Sequence, residues 1–152
     1  MGVTLDEQER WELLDSVHTG ILTTLRSDGA PVALPVWFVT HDHRIYVRTP
    51  ARTHKVARLR RDPRVCFTAE TGEAWIDLRA VVLTGRAVIL DDAAERAMVD
   101  DALGRKYRAF GIPADAPAAT VRHYDTASAY LRIDPDDRAI SWDNRKLRRR
   151  RP

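Results

Sequence analysis

Residues 20–39 read GILTTLRSDGAPVALPVWFV. Gly20 to Leu25 is rich in β-branched and aliphatic residues, which favour extended backbone. Ser27-Asp28-Gly29 carries the chemistry of a tight hairpin turn, and Val32 to Thr40 answers as the return strand. Strands joined this closely pair antiparallel. Pro35 has no N–H for a ladder. Its position predicts an edge, a bulge, or a place where something other than a strand pairs with the backbone. Trp37 and Phe38 are consecutive, so they face opposite ways. At most one is core, and the other is free to meet a ligand or a dimer partner.

The same alternation of short strands and turns continues on both sides. Upstream, Thr4-Leu5-Asp6-Glu7 has the form of a capping box, predicting a helix to about Ser16 with Trp11 and Leu14 on one face. Downstream, His41-Asp42-His43 is a turn and Ile45–Thr49 a third strand. A short helix over Val56 and Leu59 follows, stopped by Asp62-Pro63. Val65–Ala69 is a fourth strand, Gly72 a turn, and Trp75–Leu90 one long, bent strand. Asp91-Asp92 opens a helix through Met98, Leu103 and Tyr107, and Gly111–Pro117 is a loop. Ala129–Ile133 and Arg138–Trp142 are the last two strands, joined by Pro135-Asp136-Asp137. About six strands, mostly in short antiparallel joins, close best as a barrel without exposed edges. The expected fold is α+β: an antiparallel barrel of six or more strands with flanking short helices. Residues 1–145 form a single domain, and 146–152 a basic tail that is loose unless a ligand or partner holds it.

A chain of 152 residues, 44% hydrophobic and 31% charged, is long enough to bury a core. One cysteine, Cys66, excludes an intramolecular disulfide and suits a reducing compartment. No apolar stretch approaches membrane-spanning length, and the acidic, helical N-terminus is unlike a signal, so a cytoplasmic location is expected, with no membrane partner. His41 and His43 lack a third ligand at a diagnostic spacing, and no metal is expected.

The net charge is only +3, yet Arg52, Lys55, Arg58, Arg60 and Arg61 crowd into a few turns with His54. Three readings compete. Cations on a helix face are often simply solvated. A nucleic-acid grip would need helix-turn-helix spacing or a row of stacking aromatics, and neither is present. A phosphate seat fits the residue types. Thr53, preceded by Pro50, stands where a helix begins, and helix N-termini present free N–H groups to anions. Lys55 lies two residues on, and Arg48 and Thr49 end the preceding strand.

The order GILTTLRSDGAPVALPVWFV, IYVRTP (45–50) and THKVARLRRDPRVCF (53–67) resembles the flavin and deazaflavin oxidoreductases of the pyridoxamine-phosphate-oxidase-like split-barrel superfamily. The likeness is greatest to the small actinobacterial branch that uses the deazaflavin coenzyme F-420. It covers about residues 17–90, with an echo in ISWDNRKL (140–147). It implies a split barrel that forms a homodimer, with two cofactor sites at the interface. It places the strand Leu34–Phe38, with Pro35, Val36 and Trp37, against the cofactor ring, partly through backbone groups. It puts Arg48, Thr49, Thr53 and Lys55 on the phosphate side, and Trp75 with Arg79, or Trp142 with Arg145, as contributions from the second subunit. The arginine-rich phosphate strand and the C-terminal arrangement of true pyridoxamine phosphate oxidases are missing, which argues against vitamin B6 oxidation. The deazaflavin carries a phosphodiester and an acidic tail that wants a longer basic groove. Arg52, Arg58, Arg60 and the terminal arginines can supply it. The implied function is hydride transfer from reduced F-420 to a small organic acceptor that no motif names. The alternatives are an FMN-dependent oxidoreductase of the same fold and a non-catalytic flavin- or deazaflavin-binding protein. The cofactor carries the hydride, so no catalytic acid or base is assigned.

Overall fold

The computed structural model describes residues 3–149. Seven strands form one antiparallel sheet: β1 Gly20–Leu25, β2 Pro31–Val36, β3 Val39–His41, β4 Arg44–Pro50, β5 Arg64–Thr71, β6 Arg79–Ile89 and β7 Ser128–Asp143. Four α-helices accompany them: α1 Glu7–Ser16, α2 His54–Arg61, α3 Ala93–Tyr107 and α4 Ala118–Tyr124. The order across the sheet is β2-β1-β5-β6-β7-β4-β3. Its two edge strands, β2 and β3, are consecutive in the chain and joined only by Trp37 and Phe38. Laid flat, six inter-strand spacings of about 4.8 Å would part the edges by nearly 30 Å. A two-residue link spans only about 10 Å. The sheet therefore has to curl until its edges meet, as a split barrel.

The barrel fills with Leu22, Phe38, Ile45, Val47, Phe67, Val81, Leu131 and Ile133, and Leu13 and Leu14 of α1 and Leu59 of α2 join the same core. A second cluster, Val39, Tyr46, Leu90 and Val99, lies under α3. The closure point is pinned by the end of α3. The buried Tyr107 hydroxyl accepts from the Phe38 N–H (2.9 Å) and donates to the His18 carbonyl (2.7 Å). The Lys106 ammonium donates to the Phe38 carbonyl (2.9 Å) and sits 3.9 Å from the centre of its ring.

Several expectations change. Asp6, not Thr4, caps α1: its carboxylate accepts from the Glu9 N–H, and Glu9 accepts from the Asp6 N–H. Leu5 is buried with its N–H on the Ser141 hydroxyl, which holds the chain extended and delays the helix by two residues. The expected return strand to Thr40 divides at Trp37–Phe38, and Pro35 lies in the edge strand β2. Trp75 is not in a strand. Trp75–Asp77 is a 3-10 turn behind Gly72 (φ +107°), and β6 begins at Arg79. The last two strands are one. Pro135-Asp136-Asp137 is a bulge in β7 opposite Thr84, whose hydroxyl donates to Asp136 (2.9 Å). α4 escaped notice because none of its residues is buried, so it carries no amphipathic period. The basic tail is partly held: Lys146 pairs with Glu9 (2.6 Å) and donates to the Thr4 carbonyl. Residues 150–152 of that tail lie outside the described residues. Among the described residues, no helix is long and apolar enough to cross a membrane.

The β7 bulge depends on Gly85, where an added Cβ would stand 2.3 Å from the Asp134 carbonyl oxygen. Gly85→Ala should therefore cost about 1–3 kcal/mol, read as a lowered thermal midpoint. Lys106 gives a pH test. Burial pushes its ammonium down from the usual 10.5 to about 8, against the opposing pull of Asp15. Between those values the unfolded chain binds a proton that the folded chain has released, so this residue makes stability rise with pH across that window. The gain of wild type over Lys106→Met in melting temperature should increase from about pH 8 to about pH 10; a flat difference would refute the assignment.

Candidate functional site

α2 forms because Thr53 caps it, accepting from the Val56 N–H (3.4 Å), and because Val56 and Leu59 bury one stripe. The remaining face is basic. Several other cations of the fold find carboxylates: Arg48 with Asp100, Arg64 with Asp62, Arg132 with Glu95 and Asp134, Arg145 with Asp143, Lys146 with Glu9. Among the described residues, Arg52, Lys55, Arg58, Arg60 and Arg61 form no ion pair.

Lys55 is half-buried and donates to the hydroxyl of the buried Thr49 (3.0 Å). Burial first, and then the neighbouring Arg58 charge, push its ammonium below the usual lysine range. Arg58 itself reaches only the hydroxyl of the buried Thr24, at 3.5 Å, and Arg61 the Leu25 carbonyl (2.6 Å). Two like charges held side by side against neutral hydroxyls are costly, and a bound anion offsets that cost. The Thr49 and Thr53 hydroxyls, the first N–H groups of α2, the Lys55 ammonium and Arg58 make a donor set that fits a phosphate.

Lys55 thus meets Thr49, and Thr53 caps the same helix two residues before Lys55. Arg48 does not join them. Side chains alternate along β4, so Arg48 faces the other way and pairs with Asp100 on α3 (2.7 Å), which also accepts from Tyr130. Arg52 is exposed one residue before the cap. Pro35 and Val36 lie on β2, whose only strand partner among the described residues is β1. The register Val39↔Tyr46 carries Phe38 and Trp37 toward the Val47–Thr49 end of β4, so the bridge and the α2 N-terminus share one end of the barrel. Trp75 and Arg79 stand elsewhere. Arg79 pairs with Asp143 near the end of β7, whereas Thr49 pairs with Ala129 near its start.

Sequence reasoning missed the rings around the bridge. Trp37 stacks on Tyr107 with ring centres 4.4 Å apart and planes 2° from parallel. His18 meets Trp37, Tyr107 and Phe110 edge-on. These residues are scattered over the chain, and no local pattern links them. A separate cavity of about 300 Å³ lies between α1 and the β7 bulge, lined by Trp11, His43, Leu83 and Pro135, with Glu7, Asp136 and Asp137 outnumbering Arg10. Its carboxylates give it the wrong sign for an anion, and it contains none of the seat residues.

No curated protein matches the chain. Among solved structures it is similar to the conserved hypothetical protein Rv2991 from Mycobacterium tuberculosis. That match has 32% identity, 95% of this chain and 89% of that chain covered, and a TM-score of 0.80. An F420 reductase (18% identity, 85% and 94% covered, TM-score 0.63) and the FAD binding protein from Mycobacterium smegmatis (22%, 92% and 98%, 0.65) share the fold. The family model described as pyridoxamine 5'-phosphate oxidase matches residues 6–139. On that span, and with a seven-stranded sheet curled as a split barrel, the chain belongs to the pyridoxamine-5'-phosphate-oxidase-like family.

Proposed function

We propose that the protein is an oxidoreductase that passes hydride from reduced coenzyme F-420 to a small organic acceptor, with the coenzyme held between two copies of the chain. The observation that carries this reading is the set of uncompensated cations on α2, which reach β1, the neighbour of the exposed edge strand β2. Thr49, Thr53, Lys55 and the first turn of α2 would bind the phosphodiester. Arg52, Arg58 and Arg60 would meet the carboxylates of the tail. The outer side of β2, at Pro35 and Val36, has no strand partner among the described residues and offers backbone groups to the ring. When bound, the reduced deazaflavin supplies the hydride.

Two groups of exposed apolar residues support a second copy. Leu34 and Trp37 flank the ring strand, and Trp75 (69% exposed), Ile140 and Leu147 lie at the far end. A two-fold pair would match one patch with the other, bringing Trp75 and Arg79 of the partner to the seat. Light scattering should give a dimer at micromolar concentration; a monomer would count against a site built at an interface.

FMN is the second reading, because one phosphate needs only Thr49, Thr53 and Lys55. The cations beyond them favour the longer anion. Fluorescence titration should show tighter binding of F-420 than of FMN. Lys55→Ala should weaken F-420 binding roughly ten- to hundred-fold, the loss of a charge-assisted contact. Unchanged affinity would misplace the seat. Retention of reduced coenzyme without turnover on any acceptor would identify a carrier instead.

A further inference from the structure

The carboxylates of α1 form a row with one rung filled. Asp6, Glu9, Glu12 and Asp15 recur every third residue, so successive members are neighbours on the helix, about 5–6 Å apart between Cβ atoms. Asp6 caps the helix. Glu9 holds Lys146 at 2.6 Å, and that contact first, then the Asp6 N–H, draws its carboxyl below the usual range. Glu12 and Asp15 are exposed and hydrogen-bond only neutral donors: the Gln8 amide gives to Glu12 (2.8 Å) and the Thr40 hydroxyl to Asp15. Lys106, whose ammonium feels the Asp15 charge, donates to the Phe38 carbonyl instead. Both carboxylates fall in the second half of α1, whose last turn has no basic residue. The carbonyl end of a helix is negative, so anions there are unfavourable, and a cation supplied from elsewhere offsets the cost. An open cleft of about 500 Å³ runs along this stretch, lined by Gln8, Trp11, Glu12 and Asp15. The Trp11 ring, braced by its stack on His43 with centres 5.0 Å apart, gives the cleft an aromatic wall on which a guanidinium can lie.

We propose that this cleft is the docking site of the chain's own arginine run, Arg148–Arg151, which pairs with Glu12 and Asp15 as Lys146 pairs with Glu9. Lys146 fixes the start of the run, since its ammonium also donates to the Thr4 carbonyl (2.8 Å). Beyond it the chain advances about 2 Å per residue in a 3-10 turn and about 3.3 Å when extended, so two or three residues cover one step of the row. Residues 147–151 therefore extend about 10–16 Å, enough to reach Asp15 two steps on. Guanidinium groups suit the task because they bind carboxylates through paired hydrogen bonds. Asp15 also takes the Thr40 hydroxyl of the edge strand β3, so the docked tail fastens α1 to the sheet beside the closure. The clasp is independent of which coenzyme the protein binds.

Proximity is read by crosslinking the full chain carrying Arg149→Lys and Arg150→Lys with a water-soluble carbodiimide, which joins an ammonium to a carboxylate it touches. The Lys146–Glu9 pair is the internal reference. Peptide masses should show position 149 or 150 joined to Glu12 or Asp15 within one chain. Links only to other carboxylates, or only between two chains, would overturn the proposal. Stability gives a second reading whose sign decides. Glu12→Gln with Asp15→Asn removes the charges and keeps both hydrogen-bond acceptors. At low salt this pair should lower the melting temperature by about 2–4 °C, and serine at all four positions 148–151 should do the same. Combining the two sets should cost no more than either alone, and the losses should fade in about 1 M salt. An undocked tail predicts the opposite for the α1 pair, a rise in melting temperature as the helix end is relieved of its anions. That rise, or losses that simply add, would defeat the clasp.

Discussion

Everything in this molecule depends on a link of two residues. Trp37 and Phe38 join the two edges of a seven-stranded sheet, and so short a link leaves the sheet no choice but to close. The closure is then used in two directions. Phe38 points inward and meets Phe67 edge-on in the core, with ring centres 4.8 Å apart. Trp37 points outward and becomes the surface beside the candidate site. The period-two alternation of an extended backbone thus divides one dipeptide between stability and recognition. The groups that hold it, Lys106 and Tyr107, come from the far end of a helix almost seventy residues on.

The second organising fact is how the protein distributes its positive charge. Arg132 sits between Glu95 and Asp134 in a partly buried network that ties α3 to the sheet, and Tyr46 donates to the same Glu95. Arg145 is tied to the buried Asp143. These pairs spend their charge on structure. On α2 the charge is left over, and Lys55 and Arg58 bear the added strain of mutual repulsion. A net charge of +3 would never have revealed this, because the sum hides which cations are matched.

Local features were legible and distant ones were not. β1, the Asp28-Gly29 turn, the Thr53 cap and the ends of α2 all follow from neighbours in sequence, and each lies where the residues imply. The antiparallel barrel followed from the short joins between strands, and the split-barrel class from the family resemblance. Thr4 misled because two overlapping four-residue windows satisfy one capping pattern, and only the burial of Leu5 against Ser141 chooses between them. Pro135-Asp136-Asp137 misled because turn chemistry and bulge chemistry use the same residues; the partner, Thr84 with Gly85 beside it, decides. Arg48 misled because adjacency along a strand means opposite faces. The Trp37–Tyr107 stack had no local signature at all. It is a product of closure.

The position of β7 has a consequence for how the chain assembles. This last strand lies between β6 and β4, so the β3–β4 hairpin, complete by Pro50, has no place on the sheet until residues 128–143 exist. During synthesis the first four strands to pair, β2-β1-β5-β6, present an open β6 edge through the making of two helices. Such edges invite pairing with other chains. The contacts that end this exposure are long-range, and long-range contacts form slowly. The C-terminal strand therefore acts as the keystone of folding, and the risk of misassembly falls in the interval before it is inserted.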